Sequence, residues 1–393
     1  MMLHLLALHA GLEVNAPYDE AGLYTLVSRF YQRRNRLRLK QWSRGDLLSF
    51  YLLLQSRQPV SAYLEEALRD LVALQGADGS FSHNPVSTAM ALLALSAVAR
   101  DSTARRRCSA YLLEQQQPDG TWRFCSSDVW DTTLMMRSFS AYPLFRNEAL
   151  PGAVRFLKAS RNSDGGWGYA SGVESDNDTT ACALLALSDG GCDTADALKS
   201  LQYLAHLQTS EGLWKTWQST HDPAVEDTIA HVISALNLFQ GFHQIPLDPA
   251  RRWLADQFQQ RGRWTASWYR SRPYAVLEVS QAMGRLHPFS RQALRTLEQD
   301  QNPDGGWGVE PGCESAASST GLALAALFPF YDLDAPVIRN GLEFLFRTQR
   351  ADGSWEGQLE MYGPRPLLCH LSIHTHAFAS RGLMAAWCRL QRG

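Results

Sequence analysis

Acidic side chains recur at the starts of three apolar helical segments in the middle of the chain. They are Asp131, the pair Asp176 and Asp178, and Asp227, which His231 follows by four residues. Residues four apart share a helix face, so Asp227 and His231 point the same way. Taken singly, each acid is typical of a helix N-cap and the histidine of a buried core position. Acids at the same point of three successive segments, with a histidine one turn further on, favour a shared acid site.

A carboxyl pair in apolar surroundings is suited to giving a proton to a weak base. Burial disfavours the carboxylate anion, and a second acid nearby disfavours it further, so the group stays protonated at rest. Such an acid can protonate a carbon–carbon double bond, after which an apolar, water-excluding cavity protects the carbocation. Aromatic faces stabilise the cation by about 0.5 to 2 kcal/mol each. A histidine bonded to the acid favours the carboxylate once the proton has left.

Aromatic and basic side chains lie close to the same helix starts. The aromatic candidates for substrate binding are Trp130, Trp217, Trp268, Tyr269, Tyr274 and Tyr362, and the basic candidates are Arg270 and Arg272. Trp130 is favoured because it adjoins Asp131, whereas each other aromatic residue, taken alone, is more typical of packing. An arginine can receive a carboxylate through paired hydrogen bonds.

A repeat supplies the helices that must position these side chains. A glycine-containing turn that ends in an aromatic residue recurs at Phe81, Trp122, Trp167, Trp214, Trp264, Trp307 and Trp355. The spacing of about 41 to 50 residues is typical of a helix pair. A helix with a polar face precedes each turn and a more apolar helix follows it. This alternation predicts an all-α fold, an α/α toroid (α6-α6 barrel) in which outer helices surround inner ones.

The domain organisation predicted from this pattern is simple. Residues 1–60 add N-terminal helices that pack on the barrel, and residues 60–393 form the barrel, with one domain overall. The leucines at positions 3, 5, 6 and 8 favour a core helix, with peripheral membrane association as the alternative. We recognise no signal peptide.

The composition of the chain argues against nucleic-acid binding, a disulfide framework and a metal site. The chain has 37 basic and 39 acidic residues, which gives no argument for binding nucleic acid. Seven cysteines without a C-x-x-C pair argue against a disulfide framework and favour a cytoplasmic location. His370, His374 and His376 have the spacing of metal ligands, but no evident carboxylate set completes them, so we predict no metal.

The acid segments resemble the class II terpene cyclases of the squalene–hopene type. Residues 176–181 are similar to the family's acid motif in its D-x-D-T-T variant, and residues 222–232 to the next inner helix with its histidine. Residues 129–132 resemble the preceding helix, and the aromatic turns resemble the family's QW motifs. The resemblance covers about residues 60–390. It implies protonation of the terminal alkene or epoxide of a linear polyprenyl substrate, followed by a carbocation cascade.

The resemblance also implies roles for individual residues. Asp178 is the proton donor, Asp176 its neighbouring acid, and His231 the group that polarises Asp178. Asp131 and Asp227 complete the hydrogen-bond network. The residue after Asp178 is a threonine where the commoner motif has its last aspartate, so the role of that carboxylate is reassigned or lost.

The head group of the substrate is the least determined feature. Arg270 and Arg272 form the one basic pair at an inner-helix start, and Gln358 stands where some diphosphate-using relatives have lysine. This favours a prenylated aromatic acid, as in the single-domain meroterpenoid (merosterolic acid-type) cyclases. A prenyl diphosphate of the drimenyl or copalyl type is the alternative, and only that substrate would require Mg²⁺. Otherwise no cofactor is expected; the partner is a hydrophobic isoprenoid, and the oligomeric state stays open.

Two further functions share the toroid. A protein prenyltransferase β-like subunit would need an Asp, Cys and His zinc set in late repeats, and no D-x-C motif occurs there. A non-catalytic toroid that binds lipid or a partner helix would have no need of Asp178.

Overall fold

A computed structural model of the protein describes residues 44–55, 64–118, 120, 122, 127–191, 194–216, 223–362 and 368–391. Trp217 and the N-terminal leucines at positions 3, 5, 6 and 8 lie outside these residues. The described residues form sixteen α-helices and one short antiparallel strand pair, β1 (Met361–Tyr362) and β2 (Leu368–Cys369). The contacts divide the chain into two compact units at residue 128.

The first unit contains four of the helices. They are α1 (Arg44–Gln55), α2 (Leu64–Ala73), α3 (Pro85–Val98) and α4 (Thr103–Glu114). Helix α3 packs against α1 and α4, and α2 packs against α1. The side chain of Asn84 accepts from two backbone N–H groups at the start of α3, and proline occupies the first helical position, where a missing N–H costs nothing.

The second unit contains the other twelve helices. They are α5 (Asp128–Phe139), α6 (Pro143–Glu148), α7 (Leu150–Ala159), α8 (Asn177–Asp189), α9 (Thr194–His206), α10 (Glu226–Leu238), α11 (Asp248–Arg261), α12 (Arg272–Met283), α13 (Pro288–Gln299), α14 (Ala317–Leu327), α15 (Pro336–Thr348) and α16 (Ser372–Leu390).

Six of these helices form a closed inner ring. Each of α5, α8, α10, α12, α14 and α16 packs against the next, and α16 packs against α5. Helices α7, α9, α11, α13 and α15 lie outside and contact the inner helices. The predicted α/α toroid is therefore confirmed. The first apolar helix of the repeat, α3, belongs to the other unit, and a single domain from residue 60 onward stays a prediction.

Burial explains which helices lie inside the ring. Helix α8 is buried on all sides from Asn177 to Leu187, as expected for a helix surrounded by others. Outer helix α13 buries one stripe, consisting of Ser290, Ala293, Leu294 and Leu297.

The aromatic turns have the structural role typical of packing. In five of the turns the indole N–H donates to a backbone carbonyl ten residues earlier, near the end of the preceding outer helix, at 2.7–2.9 Å. These pairs are Trp167–Leu157, Trp214–Leu204, Trp264–Leu254, Trp307–Leu297 and Trp355–Leu345. The turns thereby fix each outer helix before the chain enters the next inner one.

The ring closes where α14 and α16 meet through glycines. A Cβ atom on Gly321 would lie 2.2 Å from the carbonyl oxygen of Phe378, and one on Gly382 would lie 2.8 Å from the carbonyl oxygen of Gly321. The two backbones approach so closely because neither residue carries a side chain.

We therefore expect Gly321→Ala to lower the free energy of unfolding by about 1–3 kcal/mol, because the methyl group forces the two helices apart. Denaturant unfolding measures this change. Gly241→Ala is the matched control, since a Cβ atom there meets nothing within 4 Å. Equal effects at both positions would show that the helix contact does not need the glycine.

Candidate active site

Asp178 lies in the first turn of α8 and is buried, with a relative exposure of 1%. Its Oδ1 atom is 2.7 Å from Nδ1 of His231, which α10 supplies and which is fully buried. Its Oδ2 atom is buried and has no hydrogen-bond partner among the described residues. One carboxyl oxygen is thus held by histidine and the other is available to carry a proton.

Asp176 is the N-cap of α8, and both of its carboxyl oxygens contact Thr179. The backbone N–H of Thr179 donates to Oδ1 at 2.7 Å, and the hydroxyl donates to Oδ2 at 2.8 Å. The backbone N–H of Asp176 also donates to the carbonyl of Trp167, which ties the cap to the aromatic turn. Thr179 therefore orients Asp176, an interaction that a second carboxylate could not make without a shared proton.

The far side of His231 faces α12. Its Nε2 atom lies 3.4 Å from the hydroxyl of Tyr274 and 3.4 Å from Oε2 of Glu278. Burial alone would lower the pKa of His231, but Cys182 and Asp178 raise this pKa well above its ordinary value. The imidazole is accordingly suited to carry a positive charge between Asp178 and Glu278.

Glu278 is a site residue that the repeat pattern did not identify. It is buried and paired with two arginines: Arg137 Nη2 lies 2.9 Å from Oε2, and Arg381 Nη1 lies 2.5 Å from Oε1. Burial alone would raise the pKa of Glu278, but Arg137 and Arg381 hold it well below its ordinary value. The signal in the sequence is a glutamate in an otherwise uncharged helical run, four residues after Tyr274 and hence on the same face.

A second hydrogen-bond network connects Asp131 to its sequence neighbour Trp130 through His374 and Tyr269, which lie much later in the chain. Asp131 Oδ1 lies 2.8 Å from Nε2 of His374, whose Nδ1 lies 3.1 Å from the hydroxyl of Tyr269. The indole N–H of Trp130 donates to the same hydroxyl at 2.9 Å. Asp131 thus positions His374, which is buried and which α16 supplies.

Asp227 holds the loop that leads to α12. Its Oδ2 accepts from the backbone N–H groups of Ser267 at 2.7 Å and Trp268 at 3.3 Å. The carbonyl of Trp268 in turn accepts from the backbone N–H of Tyr362, at 2.7 Å. The carboxylate therefore fixes the aromatic segment that precedes α12.

The two arginines predicted to bind the head group differ in their surroundings. Arg272 Nη1 lies 3.0 Å from Oδ2 of Asp300, so its charge is already paired. Arg270 is exposed and makes no ion pair with any described residue, while its backbone N–H donates to the carbonyl of Glu360. Gln358 lies in the same loop as Glu360 and is half-buried.

Aromatic rings fill the interior beside Asp178. Ring centroids are 4.6 Å apart for Tyr269 and Tyr274, 5.0 Å for Tyr269 and Phe378, and 5.6 Å for Tyr274 and Phe378. Trp130 lies 6.3 Å from the His231 ring. All of these side chains are buried, and the Tyr274 ring lies 6.1 Å from the ring of His231, the partner of Asp178. Phe378 was not identified from sequence, although it follows His374 by four residues.

One set of side chains has the composition of a metal site. Ligand atoms of Asp178, Cys182 and His231 all lie within 4.8 Å of one another. A guanidinium nitrogen of Arg137 lies 3.8 Å from the Cys182 sulfur, which places a positive charge beside a candidate ligand. Two histidines of the late cluster have other partners: His374 contacts Asp131, and His376 accepts from the backbone N–H of Trp355.

Comparison with known proteins identifies the family. Residues 84–221 and 217–385 match the model of the squalene-hopene cyclase C-terminal domain. The chain therefore belongs to the family of the squalene-hopene cyclase C-terminal domain. Among the residues that the structure describes, no helix combines the length and apolar character required to cross a bilayer.

Curated relatives include cyclases of two kinds. Drimenyl diphosphate synthase of Streptantibioticus cattleyicolor is 30% identical over 65% of this chain and 42% of the relative. Drimenyl diphosphate synthase of Streptomyces showdoensis is 30% identical over 72% of this chain and 56% of the relative. Squalene–hopene cyclase of Bradyrhizobium diazoefficiens is 26% identical over 64% of this chain and 47% of the relative. The chain spans about half the length of these relatives.

Solved structures share the fold. The ent-copalyl diphosphate synthase of Streptomyces platensis aligns over 96% of this chain and 70% of its own, with a TM-score of 0.66 and 19% identity. The type II terpene cyclase MstE of Scytonema, solved with geranylgeranyl dihydroxybenzoate, aligns over 72% of this chain and 95% of its own, with a TM-score of 0.57 and 21% identity.

The raised pKa of His231 predicts how stability depends on pH. Above the ordinary value of 6.5 the folded protein retains a proton that the unfolded chain releases, so stability falls as pH rises towards the folded-state pKa. We expect the free energy of unfolding to fall by up to about 1.4 kcal/mol per pH unit in that range. Below pH 6.5 the contribution is fully present.

Denaturant unfolding between pH 6 and 9 measures this dependence in the wild type and in His231→Gln. The variant should lose this part of the slope, whereas His206→Gln, on outer helix α9, should retain it. Parallel profiles for the wild type and His231→Gln would contradict a charged, buried imidazole.

Proposed function

We propose that the protein cyclises a linear polyprenyl substrate by protonating its terminal alkene or epoxide with Asp178. The observation that carries this proposal is the carboxyl geometry: Oδ1 is bonded to His231, and Oδ2 is buried without a partner among the described residues. A buried polar oxygen without a partner is costly, so its presence in an aromatic interior favours a functional role.

The first step follows from this geometry. The proton on Oδ2 transfers to the terminal alkene carbon, the π electrons form the new C–H bond, and the adjacent carbon becomes cationic. The next double bond attacks that carbon and passes the charge along the chain. The Asp178 carboxylate that remains accepts a hydrogen bond from Nδ1 of His231, which favours proton release. Loss of a proton, or capture by a nucleophile, ends the cascade.

The aromatic rings beside the acid support the later steps. Tyr269, Tyr274 and Phe378 pack around one another and present π faces in a buried region. Each such face is worth about 0.5 to 2 kcal/mol to a cation, more where water is excluded. Exclusion of water also prevents early capture of the carbocation.

The charges near the helix starts favour a prenylated aromatic acid as the substrate. With Arg272 paired to Asp300, Arg270 is the cation available at the start of α12. A single guanidinium matches a carboxylate, whereas a diphosphate carries more charge than one arginine neutralises. The fold shared with MstE, whose complex contains geranylgeranyl dihydroxybenzoate, supports the same choice.

A prenyl diphosphate is the second candidate. Two relatives that are 30% identical are named drimenyl diphosphate synthase, and ent-copalyl diphosphate synthase shares the fold. With this substrate, Mg²⁺ would accompany the diphosphate as part of the head group.

We expect Asp178→Asn to lower turnover by at least about 100-fold, because the amide cannot supply the proton. Substrate affinity should persist, since the side chains are nearly equal in shape. Product formation by mass spectrometry and ligand binding by calorimetry test the two parts. Asp196→Asn, on outer helix α9, is the matched control. A variant with unchanged turnover would favour a non-catalytic binding toroid.

The head group is tested with prenylated dihydroxybenzoates and with farnesyl and geranylgeranyl diphosphates, the latter with and without Mg²⁺. We expect turnover of the benzoates, and we expect Arg270→Gln to raise their KM about 10- to 100-fold through loss of a charge-assisted hydrogen bond. Arg263→Gln, whose native side chain is exposed beside Glu310, is the control. Products from the diphosphates alone would select the second candidate.

A further inference from the structure

Glu278 is placed where an acid is least expected. It lies at 1% relative exposure in the middle of inner helix α12, among residues that are otherwise apolar or small. A buried carboxylate persists only when its surroundings compensate for the water that it has lost. The compensation comes from three other inner helices, through Arg137 of α5, Arg381 of α16 and His231 of α10.

The two arginines neutralise the Glu278 carboxylate and also keep it available as an acceptor for His231. Each oxygen of Glu278 has its own guanidinium partner, and Oε2 also lies 3.4 Å from Nε2 of His231. The arginines keep Glu278 ionised and therefore unable to donate a proton to the imidazole. An ionised acceptor at Nε2 fixes the imidazole ring and leaves Nδ1 directed at Oδ1 of Asp178.

We propose that Glu278 is a positioning residue for proton donation: it binds the Nε2–H of His231, holds the imidazole oriented, and so keeps Nδ1–H directed at Asp178 when that residue gives up its proton. This inference rests on the proposed role of Asp178 as the donor. No part of the repeat pattern or of the acid motif assigns a role to Glu278.

The electrostatic logic follows from the groups around His231. Asp178 and Cys182 face it from α8, Glu278 and Tyr274 from α12, and the arginines stand behind Glu278. If Asp178 were the sole counter-ion, a charged imidazole would depend on the Asp178 carboxylate for its stability. Glu278 is a second counter-ion, so the imidazolium does not depend on the charge of Asp178. When Asp178 becomes a carboxylate, the same imidazolium stabilises it.

A purely structural role for Glu278, as a tie between α12, α5 and α16, predicts different results. Glu278→Gln keeps the shape and removes the charge. We expect kcat to fall roughly 10- to 100-fold with KM little changed, because the donor is affected and the substrate site is not. The alkaline limb of the kcat profile should move to lower pH, since His231 loses a counter-ion and gives up its proton more easily.

Control variants separate the two roles. Glu278→Asp should restore part of kcat, whereas Glu343→Gln, whose native side chain is exposed beside Arg339, should behave as the wild type. Glu278→Gln leaves two largely buried arginines without a full partner and can lose its fold for that reason. The triple variant Arg137→Met, Glu278→Leu, Arg381→Met replaces the whole cluster by apolar side chains, which folded proteins tolerate. It should fold and still show the reduced kcat.

A measurement without substrate distinguishes failure of this inference from failure of the proposed reaction. The ¹⁵N chemical shifts of His231, assigned by comparison with His231→Gln, report the protonation of both ring nitrogens as pH is raised. We expect the wild-type imidazole to keep both protons to higher pH than in Glu278→Gln. Identical ¹⁵N titrations in the two proteins would overturn the inference, even if the protein proved to be an active cyclase. Shifted titrations would uphold the contact between Glu278 and His231 even if no prenyl substrate were turned over.

Discussion

The hydrogen bond between Asp178 and His231 is the interaction on which the rest of the site depends. It joins α8 to α10 in the interior of the inner ring, where both side chains are withdrawn from water. Two ionisable groups in such a place are costly unless other groups compensate for the water that they have lost. His231 finds its partners on α12, and Asp178 keeps one oxygen without a partner among the described residues. The ring of apolar helices is therefore the means by which this carboxyl group is kept from water.

Four carboxyls at equivalent helix starts have separate tasks. Asp176 caps α8 through Thr179, and Asp227 holds the backbone of the segment before α12. Asp131 binds His374, and Asp178 binds His231 through one oxygen while the other has no partner in the part of the chain that the structure describes. The repeat explains why all four lie at comparable points, since each occupies the entry of an inner helix. Their tasks differ because each meets a different neighbouring loop or helix.

The fold and the acid pair could be predicted from sequence because their signals are local. Apolar periodicity and turn residues are recognised within one repeat, and the regular spacing of the aromatic residues is recognised by comparing neighbouring repeats. The four-residue spacing of Asp227 and His231 places them on the same helix face. The cluster of Glu278, Arg137 and Arg381 could not be predicted in the same way. Its members stand 141 and 103 positions apart in the chain and meet only because the ring closes. The division at residue 128 likewise depends on which helix pairs close the ring, since α3 has the same pattern as the inner helices of the second unit.

The two networks meet at a pair of tyrosines, and their geometry bears on how the carbocation of the proposed reaction would survive there. Tyr274 approaches His231, Tyr269 approaches His374, and their rings lie 4.6 Å apart. A phenol offers a stabilising π face, but its oxygen is also a nucleophile that could capture the cation. The hydroxyl of Tyr269 accepts from Trp130 and contacts His374, so its lone pairs and its proton are directed at fixed partners. Burial also raises the pKa of Tyr269 well above its ordinary value, which keeps the phenol neutral. The histidines thereby hold the hydroxyls of both tyrosines at fixed partners, which leaves these oxygens less able to attack a cation.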